Sequence, residues 1–199
     1  MQNPEYYTVW NYRRLVMRHL FADSGLVPGF GLDETRSVEG ITQLISNDLG
    51  FLFPLLRKFP KCYWIWNYRL WLLEQASSLL PADTSLQFWL RELSLVGKML
   101  TLDSRNFLGW GYRRTVVAAL ESSPKKSTKE PPQSMAEQEF QYTTRMIEAN
   151  LSNFSAWHSR SKLIPRLLNE QEADATARQE FLDSGTLPAT VAPFMLSHV

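Results

Sequence analysis

A single cysteine among 199 residues, Cys62, leaves no partner for an intramolecular disulfide, and one Cys with three His (His19, His158, His198) cannot by itself build a Cys-rich zinc site. An excess of charge of one sign is also missing. The 21 Lys and Arg nearly cancel the 20 Asp and Glu, a formal net charge of +1, which disfavours both a nucleic-acid-binding basic stripe and a charged disordered tail. No apolar run approaches the roughly 20 residues needed to cross a bilayer. Residues Met1 to Trp10 have neither the basic start nor the apolar stretch of a secretory signal. Together these absences predict a soluble chain without membrane insertion or nucleic-acid binding, for which the cytoplasm is the natural compartment. The length suits one good-sized domain, at roughly 100 to 200 residues each.

Aromatic residues are what the chain does have, 13% of it with seven Trp, and they recur in a pattern. Tyr7-Trp10-Arg13, Tyr63-Trp66-Arg69, Phe107-Trp110-Arg113 and Phe154-Trp157-Arg160 repeat one signature, aromatic-x-x-Trp-x-Tyr-Arg, and the fourth copy has Ser159 in place of Tyr. Successive Trp lie 56, 44 and 47 residues apart, room for two helices and two turns. Between signatures, Leu86, Leu90, Leu93, Val96 and Leu100 step as an amphipathic helix requires. So do Ala136, Phe140, Thr143 and Ile147. An earlier helix is read from Val38, Ile41, Ile45, Leu49 and Leu52, with Pro54 expected to kink or end it. Turn signals at Asn3-Pro4, Phe59-Pro60, Asp103-Ser104 and Asn150 precede each signature helix.

The fold expected is all-α, a right-handed α-α superhelix of tandem helical hairpins. Aromatic, Trp and Arg at three-residue steps share one helix face and stack on the neighbouring hairpin. The four Trp are read as joint-filling residues. The four Arg are read as guanidinium groups stacked on Trp or tied to a neighbour's carboxylate or helix end. Residues 124–132 (Pro-Lys-Lys-Ser-Thr-Lys-Glu-Pro-Pro) read as a solvated loop. Residues 24–31 read as a connector without the Lys-Ser/Thr pair of a phosphate loop. The repeat domain is placed at 1–170. Residues 171–199 are read as a partial helix and an irregular terminus, either truncated or alternative.

The stretches 59–69 (FPKCYWIWNYR), 103–114 (DSRNFLGWGYRR) and 150–163 (NLSNFSAWHSRSKL) resemble the α subunits of protein prenyltransferases, most closely those of the type II, Rab geranylgeranylating branch in its compact fungal form. The resemblance covers roughly residues 3–170. It implies a crescent of helical hairpins around a β subunit, an α/α barrel that holds zinc and the isoprenoid pocket, with no cofactor in this chain. It further implies transfer of geranylgeranyl from geranylgeranyl diphosphate to C-terminal cysteines of Rab proteins, delivered by an escort protein.

By the same resemblance Lys61, five residues before Trp66, reaches the diphosphate of the donor. An ammonium there would stabilise charge as the carbon–oxygen bond breaks. Tyr63, Asn106 and Phe107 match residues neighbouring that site, and Leu108 stands where the family often has His. Arg14 and Arg114 are read as surface or subunit-interface residues, and His158 as structural. Two other readings stay open: the α subunit shared by farnesyltransferase and type I geranylgeranyltransferase, and a helical-repeat scaffold without chemistry.

Overall fold

The computed structural model describes residues 3–24, 26–27, 31–32, 34–122, 134–170 and 175–184. Its elements are α1 (Tyr7–Asp23), β1 (Leu26–Val27), β2 (Gly31–Leu32), α2 (Glu34–Lys58), α3 (Tyr63–Leu79), α4 (Ala82–Leu102), α5 (Phe107–Ser122), α6 (Ala136–Ala149), α7 (Phe154–Glu170) and α8 (Ala175–Ser184). The two short strands form one antiparallel pair, Leu26 opposite Leu32 and Val27 opposite Gly31, inside the connector between α1 and α2. The solvated loop read at 124–132 lies outside the described residues, as does the tail beyond Ser184.

Two compact units divide the chain, Met1–Gln133 and Ser134–Val199. In the first, consecutive helices pair into hairpins, and the signature helices α1, α3 and α5 also touch one another in order. In the second, α6 pairs with α7, and Ala136, Phe140, Leu167, Leu168 and Phe181 form the core, with Leu163 and Ile164 packed against it.

Each signature helix begins at its aromatic residue, and each Trp fixes the turn before it. The indole N–H of Trp10 donates to the carbonyl of Pro4 (2.7 Å), Trp66 to Pro60 (2.8 Å), Trp110 to Ser104 (2.9 Å) and Trp157 to Leu151 (2.9 Å). A helical side chain leans toward the N-terminus, so an indole in the first turn reaches a carbonyl six residues back. The turn carbonyl then takes a second donor from the next hairpin. Cys62 Sγ–H donates to Pro4 O (3.4 Å), and Asn106 Nδ2 donates to Pro60 O (2.8 Å). Asn106 also caps α5, its Oδ1 accepting from the N–H groups of Leu108 (3.1 Å) and Gly109 (3.2 Å).

Several expectations need correction. Tyr7, Tyr63, Phe107 and Phe154 do not share the buried face. All four are exposed, because a first-turn side chain leaning past the helix start leaves the hairpin stack. Trp10, Trp66 and Trp110 are buried, but Trp157 is 46% exposed. Trp10 packs on Tyr68 (ring centroids 5.3 Å apart) and Trp66 on Tyr112 (4.9 Å), that is, on the Tyr of the following signature, whereas Trp157 has no such ring against it among the described residues. The buried stripe of α4 runs through Ser85, Phe88, Trp89, Glu92, Val96 and Leu100, whereas Leu90 is exposed. Finally, α2 continues through Pro54. Pro54 and Gly50 both face solvent, so water can serve the carbonyl that proline leaves unbonded, while Leu52 and Leu56 stay buried on the other side.

Removing one indole N–H tests the turn lock. Trp66→Phe should lower stability by about 1 kcal/mol beyond the packing change, read from the urea midpoint. Trp157→Phe should cost less, because water replaces the bond at a half-exposed ring. Equal losses at the two positions would show that burial does not control this bond.

Candidate functional site

The Tyr-Arg pair of the signature acquires its purpose from acids on the intervening helices. Asp48 on α2 accepts from Arg13 Nε (3.0 Å) and its Nη2, and from the phenol of Tyr68 (2.6 Å). Glu92 on α4 accepts from Arg69 Nε (3.1 Å) and its Nη2, and from the phenol of Tyr112 (2.7 Å). Each carboxylate thus joins the Arg of one signature to the Tyr of the next. Arg69 goes further, donating through Nη1 to the carbonyl of Leu49 on α2 (3.0 Å). These are the carboxylate ties expected for the signature Arg, and the second is buried on both sides: the Arg69 and Glu92 side chains are 2% and 4% exposed.

Arg113 is buried as well. Arg160 is tied differently. Its guanidinium donates to Thr144 Oγ1 and lies 3.8 Å from the centre of the Phe140 ring, and burial lowers its pKa. Ser159, which replaces the signature Tyr, is buried with its hydroxyl unpartnered among the described residues. Arg14 bridges α1 and α3, donating to Asn67 Oδ1 (2.6 Å), and Arg114 is exposed.

The acids set the electrostatics of the joints. Burial pulls the Arg69 guanidinium down, but the charge and hydrogen bond of Glu92 outweigh it and the net direction is up. Burial, with the hydrogen bond and charge of Asp48, raises the Tyr68 phenol. Burial and the charge of Glu92 raise Tyr112 well above its ordinary value. Both phenols therefore remain protonated donors.

Outside the joints, one edge of the first unit carries the exposed polar and aromatic groups predicted for a site. Lys61 sits in the turn before α3, its side chain 69% exposed, with Nζ 3.5 Å from Asp103 Oδ2 in the turn before α5. Asp103 is held by its own turn, its Oδ1 accepting from Arg105 N–H (3.2 Å). Tyr63 and Phe107, the residues that open α3 and α5, are exposed at the same helix ends. Asn106 is buried, with its amide spent on the cap and on Pro60. Lys61, Tyr63 and Phe107 are therefore available to a ligand or partner, while Asn106 builds the turn beneath them. Sequence reading missed Asp48, Glu92 and Asp103. A signal existed for the first two: each replaces an apolar residue inside a buried register, Ile45-Asp48-Leu52 and Trp89-Glu92-Val96. Ala136-Glu139-Thr143 on α6 repeats that spacing with Glu139 buried.

The protein prenyltransferase alpha subunit repeat matches residues 1–20, 45–76, 89–120 and 136–167, one signature in each. This chain belongs to that family. The last three matches each begin three residues before one of the buried acids Asp48, Glu92 and Glu139, so the repeat contains the acid as well as the Trp. Among similar proteins, the geranylgeranyl transferase type-2 subunit alpha of Candida albicans is 41% identical over 167 residues, covering 84% of this chain and 41% of the relative. The subunit of that name from Saccharomyces cerevisiae is 36% identical over 171 residues, 86% of this chain and 44% of the relative. That of Rattus norvegicus is 35% identical over 176 residues, 88% of this chain and 25% of the relative. The chain spans less than half the length of each. Among the described residues, no helix is long and apolar enough to cross a membrane.

Two measurements check the joints. Glu92→Gln leaves the buried Arg69 charge uncompensated and should cost about 3–5 kcal/mol in urea unfolding. Asp48→Asn should cost less, because Arg13 is one-third exposed and can recover water. A phenol whose folded pKa is raised contributes stability that is complete below its unfolded pKa and is lost as pH rises above it. Stability should therefore fall above about pH 10, the ordinary tyrosine value. Tyr68→Phe should flatten that decline, and an unchanged alkaline slope would contradict the assignment.

Proposed function

We propose that this chain forms the hairpin-repeat part of the α subunit of a type-2 protein geranylgeranyltransferase. In this reading it docks a β subunit along the edge bearing Tyr63, Lys61 and Phe107, and supports geranylgeranyl transfer from geranylgeranyl diphosphate to C-terminal cysteines of Rab proteins brought by an escort protein. Zinc and the isoprenoid pocket are assigned to the β subunit. The observation that carries the reading is a cation, Lys61, held at the exposed end of a hairpin joint in a chain whose relatives are named type-2 α subunits. In the first unit, exposed aromatics at the starts of α1, α3 and α5 supply apolar contact for a partner, while the Trp and Arg of the same signatures stay committed to the fold.

Lys61 has a task that a structural lysine lacks. Its ammonium is in solvent apart from Asp103 at 3.5 Å, a weak exposed pair that a diphosphate with several negative oxygens can displace. Aimed at the leaving diphosphate, it stabilises the charge that grows as the carbon–oxygen bond breaks, and so acts on the transition state more than on the ground state. The work is done by a positioned charge, and the chain need supply neither nucleophile nor base.

Co-expression with a type-2 β subunit, followed by size exclusion and single-turnover lipid transfer to a Rab substrate with escort protein, tests the proposal. Lys61→Ala should leave dimerisation intact and slow the chemical step about 10²- to 10³-fold. Transfer at the wild-type rate removes the diphosphate role. A stable dimer without transfer favours a scaffold, and transfer to a Cys-aliphatic-aliphatic-X peptide favours the farnesyl and type I branch.

A further inference from the structure

The second unit encloses a cavity of about 370 Å³ bordered by α6, α7 and α8, inside the range of about 300–1,000 Å³ typical of small-molecule sites. Ile147 from α6, Trp157 and Ile164 from α7 and Phe181 from α8 make its walls mainly apolar, and Phe181 is anchored on Phe140 (ring centroids 6.3 Å apart). The indole N–H of Trp157 is spent on Leu151 O, so this half-exposed side chain offers apolar ring surface and no donor. Arg160 lines the same cavity. Its guanidinium lies over the Phe140 ring, and its Nη1 donates to Thr144 Oγ1, whose own proton goes to the carbonyl of Phe140 (2.9 Å). At Arg13 and Arg69 the edge formed by Nε and Nη2 holds a carboxylate. At Arg160 that edge has no acceptor among the described residues. Burial lowers the Arg160 pKa, as expected of a cation partly stripped of water without an anion in contact. Glu148, exposed on α6, also lines the cavity, and its charge acts on Arg160 without forming an ion pair.

We propose that this cavity binds a small monocarboxylate with an apolar body, its carboxylate on the Arg160 guanidinium and its ring or branched chain against Trp157, Ile164 and Phe181. The planar fork of a guanidinium matches a carboxylate through two parallel N–H bonds, and a cation already short of water gains most from such a partner. The apolar walls supply the remaining contact. Glu148 sets the charge limit: its carboxylate repels a dianion about twice as strongly as a monoanion at the same place, so a phosphate ester is disfavoured against a carboxylate. A neutral ligand would bury the guanidinium further and leave it unpaired. The site lies wholly within the second unit and is independent of the role proposed for Lys61.

Titrating the full chain with phenylpropionate, followed by calorimetry and by the methyl NMR signals of Ile147 and Ile164, tests the site. Those signals should shift saturably, and phenylpropionate should bind about 10- to 100-fold more tightly than phenylpropanamide, its neutral counterpart. Arg160→Gln should reduce the acid to the level of the amide. Glu148→Gln changes only an exposed side chain, so it probes the site with the fold intact. It should tighten phenylpropionate and should improve phenylpropyl phosphate by a larger factor. Lys61→Ala should leave all these affinities unchanged. Equal binding of acid and amide to the wild-type chain would overturn the carboxylate assignment, as would a phosphate ester that binds it more tightly than the acid. Absence of a saturable shift in both the wild-type chain and Glu148→Gln would overturn the site itself.

Discussion

A carboxylate buried between two helical hairpins needs charge and hydrogen bonds from both sides, and in this chain each side supplies one signature residue. Asp48 takes Arg13 from the first signature and Tyr68 from the second, and Glu92 takes Arg69 from the second and Tyr112 from the third. Such a pair adds little stability over a well-packed apolar substitute, since desolvating both charges offsets most of their attraction. What it supplies here is register. A hairpin shifted by one turn would strand a buried acid and a guanidinium, whereas the aromatic and leucine contacts around them could slide and repack. The indole bond to the turn carbonyl works toward the same end. It fixes where each signature helix begins, and the residue before that helix, Cys62 or Asn106, hooks the carbonyl of the previous turn.

Division of labour within the signature links fold to proposed function. At the two joints described, Trp10, Trp66, Tyr68, Tyr112, Arg13 and Arg69 face inward. The opening aromatic, leaning past the helix start, remains exposed, and so does Lys61 in the turn ahead of α3. In the first unit, repetition thereby produces two buried joints with an exposed edge of aromatic and cationic groups, an arrangement that can be specialised at one turn without disturbing the stack.

Much of this was legible in the spacing of Trp and Arg alone, because large residues at a fixed period have few explanations other than stacked units. Helix positions followed from the same period and from the turn residues before each signature. The Tyr of the signature was visible too, but its meaning was not. Asp48 and Glu92 interrupt apolar stripes, and a reading that follows leucines passes over them, choosing Leu90 where the fold buries Glu92. Trp157 was misread for a related reason: Trp10 and Trp66 are covered in part by the Tyr of the following signature, a contact that an indole's own sequence neighbours do not reveal. Pro54 shows the opposite case, a local helix breaker overridden because it falls on the solvent side while Leu52 and Leu56 hold the other. Lys61 carries no signal in its own surroundings and is proposed only by resemblance, and the structure adds its exposure and its contact with Asp103.

The bridging role of the buried acids is tested most directly by a double-mutant cycle across Glu92, pairing Arg69→Met with Tyr112→Phe. The two side chains belong to successive signatures and meet through Glu92, so their effects on unfolding free energy should depart from additivity by about 0.5–3 kcal/mol, and the departure should vanish when Glu92 is replaced by Leu. Additive losses in the presence of Glu92 would show that the carboxylate does not couple the hairpins.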